Sequence, residues 1–359
     1  MQFYMPVRVF DEADCVAKHA VYLASFGKKA LIVTGKTSAV KCGALHDVED
    51  ALKENGTDWC VFSDVEENPS VETVVRAAHF AREEGADYVI GIGGGSPLDA
   101  AKAIAFLLKR EIISASDLYN ASADPCALDV IAIPTTCGTG SEVTGVSVLT
   151  VHEKKTKSSI PHKIFPKAAL IDGKYLHSAP VSMMINTAVD ALAHMIESYE
   201  SVKADDYSRA AVRQGMRLWA QSADILRGKR KASDEDYARM MRASTFAGIA
   251  IAQTGTSIPH ALSYILTYDL KMPHGMACGY FLARFLKEAD DEDRKELLSL
   301  AGFESLEQFE AYMQEVFPDV TVPAETLQRA YDVVVKNTAR LKGCRFAPDA
   351  ECLKRIAGL

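Results

Sequence analysis

Tyr88-Val-Ile-Gly91-Ile-Gly93-Gly94-Gly95-Ser96-Pro97-Leu98-Asp99-Ala-Ala-Lys102 is the stretch that decides the fold class. A short apolar run, of the kind found in strands buried on both faces, breaks at three glycines and resumes as a run of helix formers. Ser96 is placed to N-cap that helix, Pro97 suits its first position, and Asp99 completes a Ser-x-x-Asp capping box. Glycines let backbone N–H groups approach a diphosphate, and the helix N-terminus favours its charge. The spacing is not G-x-G-x-x-G, so no standard Rossmann assignment follows. A tight turn without a ligand is the competing reading.

Working outward, Ala30-Leu-Ile-Val-Thr34, Trp59-Cys-Val-Phe62, Val130-Ile-Ala-Ile133 and Ala168-Ala-Leu-Ile-Asp172 are further strand-like runs. Amphipathic stretches at about 12–26, 38–55, 70–85 and 97–110 lie among them. Strand and helix alternating at this spacing predict a mainly parallel sheet with helices on both sides. Beyond Pro180 the strand signal stops. Segments 182–200, 205–228, 234–253, 256–267, 274–288, 291–302, 305–316, 324–341 and 347–357 all read as helices. The chain is thus expected to hold an α/β domain over 1–180 and an all-α domain over 181–359.

Two more strand ends carry candidate ligand-binding residues. Pro134-Thr135-Thr136-Cys137-Gly138-Thr139-Gly140-Ser141-Glu142 offers hydroxyls and amides at the carboxyl end of a strand, where open α/β sheets bind ligands. Val33-Thr34-Gly35-Lys36-Thr37-Ser38 ends an earlier strand. An acid there would bind the free 2′-hydroxyl of NAD. Gly35 removes it, while Lys36, Thr37 and Ser38 supply a cation and donors, which favours NADP(H). A glycine turn with a solvated lysine remains the alternative.

In the second half, Thr187-Ala-Val-Asp190-Ala-Leu-Ala-His194-Met-Ile-Glu197 sets a carboxylate and an imidazole four residues apart. On a helix they share one face. With His260 and His274 they would make a first shell for Fe(II) or Zn(II); an isolated Asp-x-x-x-His pair is otherwise a helix-surface hydrogen bond. Glu197 is expected to support this helix by hydrogen bonding. His162 and His177 read as surface residues. Phe246, Tyr264 and Met276 read as core residues or pocket lining.

The 359 residues are 48% apolar and 25% charged with net charge −8, which excludes a basic nucleic-acid or membrane-surface footprint. Residues 1–6 lack the basic and apolar regions of a signal peptide, and no apolar run reaches the length of a membrane span. Eight scattered cysteines without a C-x-x-C pair fit free thiols in a reducing cytoplasm.

Together these motifs resemble the iron-containing (metal-dependent, group III) alcohol dehydrogenase family. The likeness also takes in Phe3-Tyr-Met-Pro, Glu67-Asn68-Pro69-Ser70, Leu170-Ile-Asp172, Pro180 and Pro273-His274-Gly275. It implies a dehydroquinate synthase-like fold: a dinucleotide-binding α/β domain, a helical metal-binding domain and a reaction cleft between them. It places the metal ligands on Asp190, His194, His260 and His274, and the diphosphate loop on Gly93, Gly94, Gly95, Ser96 and Asp99. The second cofactor loop falls on Thr135, Thr136, Thr139 and Ser141, the NAD/NADP discriminator on Gly35, and a cofactor lysine on Lys157. It also implies a homodimer. Two departures stand out: Tyr264 occupies a position where many relatives have histidine, and Leu359 ends the chain earlier than in many of them.

The expected reaction is hydride transfer between NADP(H) and an alcohol or aldehyde, with Fe(II), or Zn(II) in its place, as Lewis acid. NADP(H) points to aldehyde reduction. Alternatives on the same scaffold are a glycerol dehydrogenase or a metal-free maleylacetate reductase; outside enzymes, a non-catalytic nucleotide-binding protein that senses NADP.

Overall fold

The structure is a computed structural model. It describes residues 2–318 and 320–359, with Met1 and Asp319 outside the description. The chain divides into two compact units, Met5–Ala179 and Pro180–Leu359, and the segment through Tyr4 groups with the second. The Tyr4 N–H donates to Gln253 Oε1 at 3.0 Å, and Gln253 Nε2 donates back to the Tyr4 carbonyl at 3.0 Å. The α/β unit therefore starts at Met5 and not at the first residue expected from the sequence.

The first unit carries strands β1 (Arg8–Asp11), β2 (Lys29–Gly35), β3 (Asp58–Val65), β4 (Tyr88–Gly93), β5 (Val130–Pro134), β6 (Val148–Val151), β7 (Thr156–Ser159) and β8 (Ala168–Ile171). Six of them form one parallel sheet in the order β1-β8-β5-β4-β2-β3. Alternating side chains feed two cores. Leu31, Val33 and Val89 face the helices Val71–Glu83 and Gly95–Leu108; Ala30, Ile32, Ile90 and Ile131 face the opposite layer. After β3 the chain returns past β2 to lay down β4, so the strand order reverses between β2 and β4. Open α/β sheets bind ligands outside the carboxyl ends of strands at such a switch. Gly35, Gly93 and Pro134 end the adjacent strands β2, β4 and β5.

Several elements differ from the sequence reading. β1 and the antiparallel β6–β7 hairpin are additional. The 12–26 stretch breaks at His19, and 38–55 breaks before Ala44, where Gly43 takes φ 83°. The helix after the glycines begins at Gly95 with Gly94 as its N-cap, so Ser96 caps nothing. Its hydroxyl instead accepts the Asn68 N–H at 3.0 Å, and the Asp99 carboxylate turns to the loop beyond β5. A partner elsewhere in the fold outcompetes the local box.

The second unit is helical. Its central helix, Val181–Tyr199, is buried without a break from Ala188 to Tyr199. Asp206–Ala220, Asp234–Thr254, Ile258–Leu270 and His274–Glu288 surround it, with shorter helices after them. The expected 324–341 helix is two pieces, Ala324–Val334 and Thr338–Lys342, the second capped by Asn337. No described helix is long and apolar enough to cross a membrane, and the eight cysteines form no disulfide among the described residues.

Candidate functional site

The helical unit gathers one carboxylate and three imidazoles. Asp190, His194 and Glu197 share one face of the Val181–Tyr199 helix through their i, i+4, i+7 spacing. His260 comes from the first turn of Ile258–Leu270 and His274 opens His274–Glu288. Gly275 permits that approach: a β-carbon there would lie 1.7 Å from the Asn186 carbonyl oxygen, so any other residue would push the two helices apart. The Met276 N–H donates to Asn186 Oδ1 at 3.1 Å and fixes the same junction.

Asp190 Oδ1 is the hub. His260 Nε2 lies 3.3 Å from it, His274 Nε2 3.7 Å and His194 Nε2 3.8 Å. The His194 ring stacks on His260 with centroids 4.5 Å apart, and Tyr264 stacks over His274 at 5.9 Å. Glu197, fully buried, accepts from His260 Nδ1, from the Ser257 N–H at 2.5 Å and from the Ser257 hydroxyl at 3.0 Å. That arrangement puts the ring proton on Nδ1 and turns the Nε2 lone pair towards Asp190.

Asp190 Oδ1 and His260 Nε2 therefore face one another, both buried and neither with a hydrogen-bond partner among the described residues. Burial pushes the Asp190 carboxyl up, but His194, His274 and His260 outweigh it and hold the carboxyl well below its ordinary range. Glu197 is likewise lowered, by His260 against burial. For His260 burial acts downward, yet Cys278, Glu197 and Asp190 together raise it. The cluster stabilises a positive charge at its centre, and the donor set fits a divalent cation.

Cys278 also belongs to this cluster. Asp190, His260, His274 and Cys278 each offer a ligand atom, all within 4.8 Å of one another. The sequence reading missed it, although a cysteine four residues after His274 on a helix was a usable signal.

In the α/β unit the three expected cofactor segments lie at the carboxyl ends of neighbouring strands. The two glycine loops touch: the Thr135 N–H donates to the Gly93 carbonyl at 2.9 Å, and a β-carbon on Gly95 would come 2.8 Å from Thr139 Cγ2. Gly93 has φ 150°, a conformation that favours glycine. Asp99 and Ser141 are engaged with one another at 2.5 Å, and Asp99 also accepts the Val148 N–H at 2.8 Å. Beneath them lies Lys102, also missed from sequence. It is fully buried, and its ammonium donates to Ser141 Oγ at 2.7 Å and to the Val146 carbonyl at 2.8 Å.

Lys157 sits on β7 opposite Thr150, which anchors the hairpin to the Asn68 and Pro69 carbonyls at 2.8 Å each. At the end of β2, Lys36 and Arg76 both approach Asp64, at 3.2 and 3.3 Å, and Arg76 also reaches Thr73, which donates to Glu66 at 3.0 Å, so two cations stand against two carboxylates. Ser38 begins a short helix there. His177 is exposed as expected, whereas His162 is buried and stacked on Phe106 at 4.2 Å, because the loop that carries it folds onto the Gly95–Leu108 helix.

Comparison with known proteins extends this reading. Residues 6–173 match the family described as Iron-containing alcohol dehydrogenase, and residues 184–329 match the Fe-containing alcohol dehydrogenase family, C-terminal. Lactaldehyde reductase of Escherichia coli is 33% identical over 268 residues, covering 72% of this chain and 68% of that protein. An iron-containing alcohol dehydrogenase from Thermotoga maritima superposes with a TM-score of 0.91 at 35% identity, over 100% of this chain and 99% of that one. A sulfoacetaldehyde reductase from Bifidobacterium kashiwanohense, solved with NAD+, gives 0.87 at 26% identity, over 99% and 97%. Since both halves match in order and a structure of the same kind aligns end to end, the chain belongs to the iron-containing alcohol dehydrogenase family.

Proposed function

We propose that this oxidoreductase of alcohols and aldehydes reduces an aldehyde with NADPH, using a divalent iron held by Asp190, His194, His260 and His274. The single observation that carries the metal reading is the facing pair Asp190 Oδ1 and His260 Nε2, buried 3.3 Å apart with no hydrogen-bond partner among the described residues. When bound, the ion would supply a Lewis acid for the carbonyl oxygen and the nicotinamide would supply the hydride.

The chain's own residues do the rest. Glu197 orients His260 and fixes its tautomer. Tyr264 covers one face of His274. The Gly93–Gly95 loop and Thr135, Thr136 and Thr139 offer amides and hydroxyls to a diphosphate, while Lys102, Asp99 and Ser141 hold the two loops together. Lys157 belongs to this proposal only as part of the hairpin beside them. Gly35 presents no acid to a 2′-phosphate, and Lys36 and Ser38 supply a cation and a hydroxyl beside it; this supports NADP(H) over NAD(H).

A cytoplasmic homodimer completes the proposal, the dimer supported by the family and the compartment by eight cysteines that form no disulfide among the described residues. The test is reduction of a short-aldehyde panel by metal-stripped protein, with NADPH or NADH, after adding Fe(II), Zn(II) or nothing. Recovery with Fe(II) and NADPH is expected. Equal rates without metal would favour a metal-free reductase, and a preference for NADH would overturn the reading of Gly35.

A further inference from the structure

We infer that Cys278 is a sulfur ligand at the Asp190 centre, so that the site also takes a thiophilic divalent ion in an Asp190–His260–His274–Cys278 shell. The inference rests on the metal reading above and adds to it a fifth donor. Cys278 is completely buried on the His274–Glu288 helix, one turn beyond His274. Its Sγ lies 3.8 Å from His274 Nε2 and 4.0 Å from Nδ1. The four donor atoms all lie within 4.8 Å of one another. Bonds of roughly 2.0–2.3 Å to a central ion limit two ligand atoms to about 4.6 Å, so small side-chain movements close the set. Asp190 Oδ1 and His260 Nε2, buried and without a hydrogen-bond partner among the described residues, lie 3.3 Å apart within the same set.

Charge separates this shell from the four-residue one. A Cys278 thiolate would bring a second anion into direct contact with the ion, whereas in the four-residue shell the second anion, Glu197, acts only through His260. Thiolate is also the softer donor and selects zinc over iron, while imidazole and carboxylate suit both. On binding, the Cys278 S–H bond breaks, a sulfur–metal bond forms and the proton leaves to solvent, with no change of oxidation state. Whether His194 or Cys278 completes the shell then sets which ion the chain prefers.

The test uses the full-length, metal-stripped protein titrated anaerobically with Co(II). Wild type is expected to bind one Co(II) per chain, with visible d–d bands and an intense near-ultraviolet sulfur-to-cobalt band. Cys278→Ser and Cys278→Ala should keep the d–d bands, lose the sulfur band and bind zinc at least tenfold less tightly. Melting curves would check that both variants fold. X-ray absorption at the zinc edge of loaded wild type decides without a variant: one sulfur at about 2.3 Å supports the shell, and nitrogen and oxygen alone overturn it. D–d bands without a sulfur band, or a sulfur band that survives in both variants, would overturn the sulfur ligand and leave the metal reading intact. Failure to bind Co(II) at all, with Asp190→Asn unchanged from wild type, would overturn the metal reading itself.

Discussion

Asp190 Oδ1 and His260 Nε2 face each other at 3.3 Å, each buried and each without a hydrogen-bond partner among the described residues. Glu197, one helical turn beyond His194, accepts the His260 Nδ1–H and so turns Nε2 towards Asp190. Like-signed lone pairs at that distance in a dry site are costly unless a proton or a metal ion lies between them.

Glu197→Gln tests this support. The amide can present only one oxygen, so either the Ser257 groups or His260 Nδ1 lose their acceptor. Competition with a chelator should show metal affinity falling roughly 10–100-fold, with the protein still folded. Unchanged affinity would mean that His260 is oriented by something else.

Gly35→Asp tests cofactor choice. Its φ is ordinary, and a β-carbon there meets the Val65 carbonyl at 3.4 Å, an ordinary contact, so the side chain fits. The NADPH-to-NADH ratio of kcat/KM should fall at least tenfold. A ratio that does not move would place the adenosine ribose elsewhere.

Lys102→Met tests the joint between the two cofactor loops. The substitution keeps the bulk but strips the Val146 carbonyl and Ser141 of their buried donor and leaves Asp99 without its ion pair. A loss of about 3 kcal/mol is expected, together with a higher KM for the dinucleotide. A melting curve and cofactor titration identical to wild type would contradict it.

Glu200 carries a pH dependence. Burial pushes its carboxyl up to about 7, Asp293 and Asp290 add repulsion, and Arg345 and Arg209 oppose them. The unfolded carboxyl titrates near its usual ~4.3, so the folded state holds the extra proton. Stability from this group is full below that value and is lost as pH rises through about 7. Glu200→Gln should therefore raise the melting temperature by several degrees at pH 8 and change it little at pH 4. The reverse pattern would mean that Glu200 is ionised and well paired in the folded protein.

What the sequence disclosed follows from burial and periodicity. β2, β4 and β5 are buried on both faces, so their Val- and Ile-rich runs stood out. β1, partly exposed at the sheet edge, and β7, Thr-Lys-Ser-Ser, have no such run. The Asp190–His194 pair and Glu197 were legible because the i, i+4, i+7 spacing alone defines a helix face. Ser96 was misread because its partner, Asn68, lies 28 residues away in sequence. Nothing in the sequence around Lys102 marks it as buried; only the folded chain shows the carbonyl and hydroxyl that surround it.

Stepwise addition of Fe(II) to metal-stripped protein under anaerobic conditions, following aldehyde reduction by NADPH, decides whether the reaction depends on metal at this centre. Activity should rise in proportion to bound iron and level off at one ion per chain, and Asp190→Asn should stay flat. Full activity before any iron is added, or a plateau indifferent to Asp190, would contradict a metal-dependent reaction at this centre.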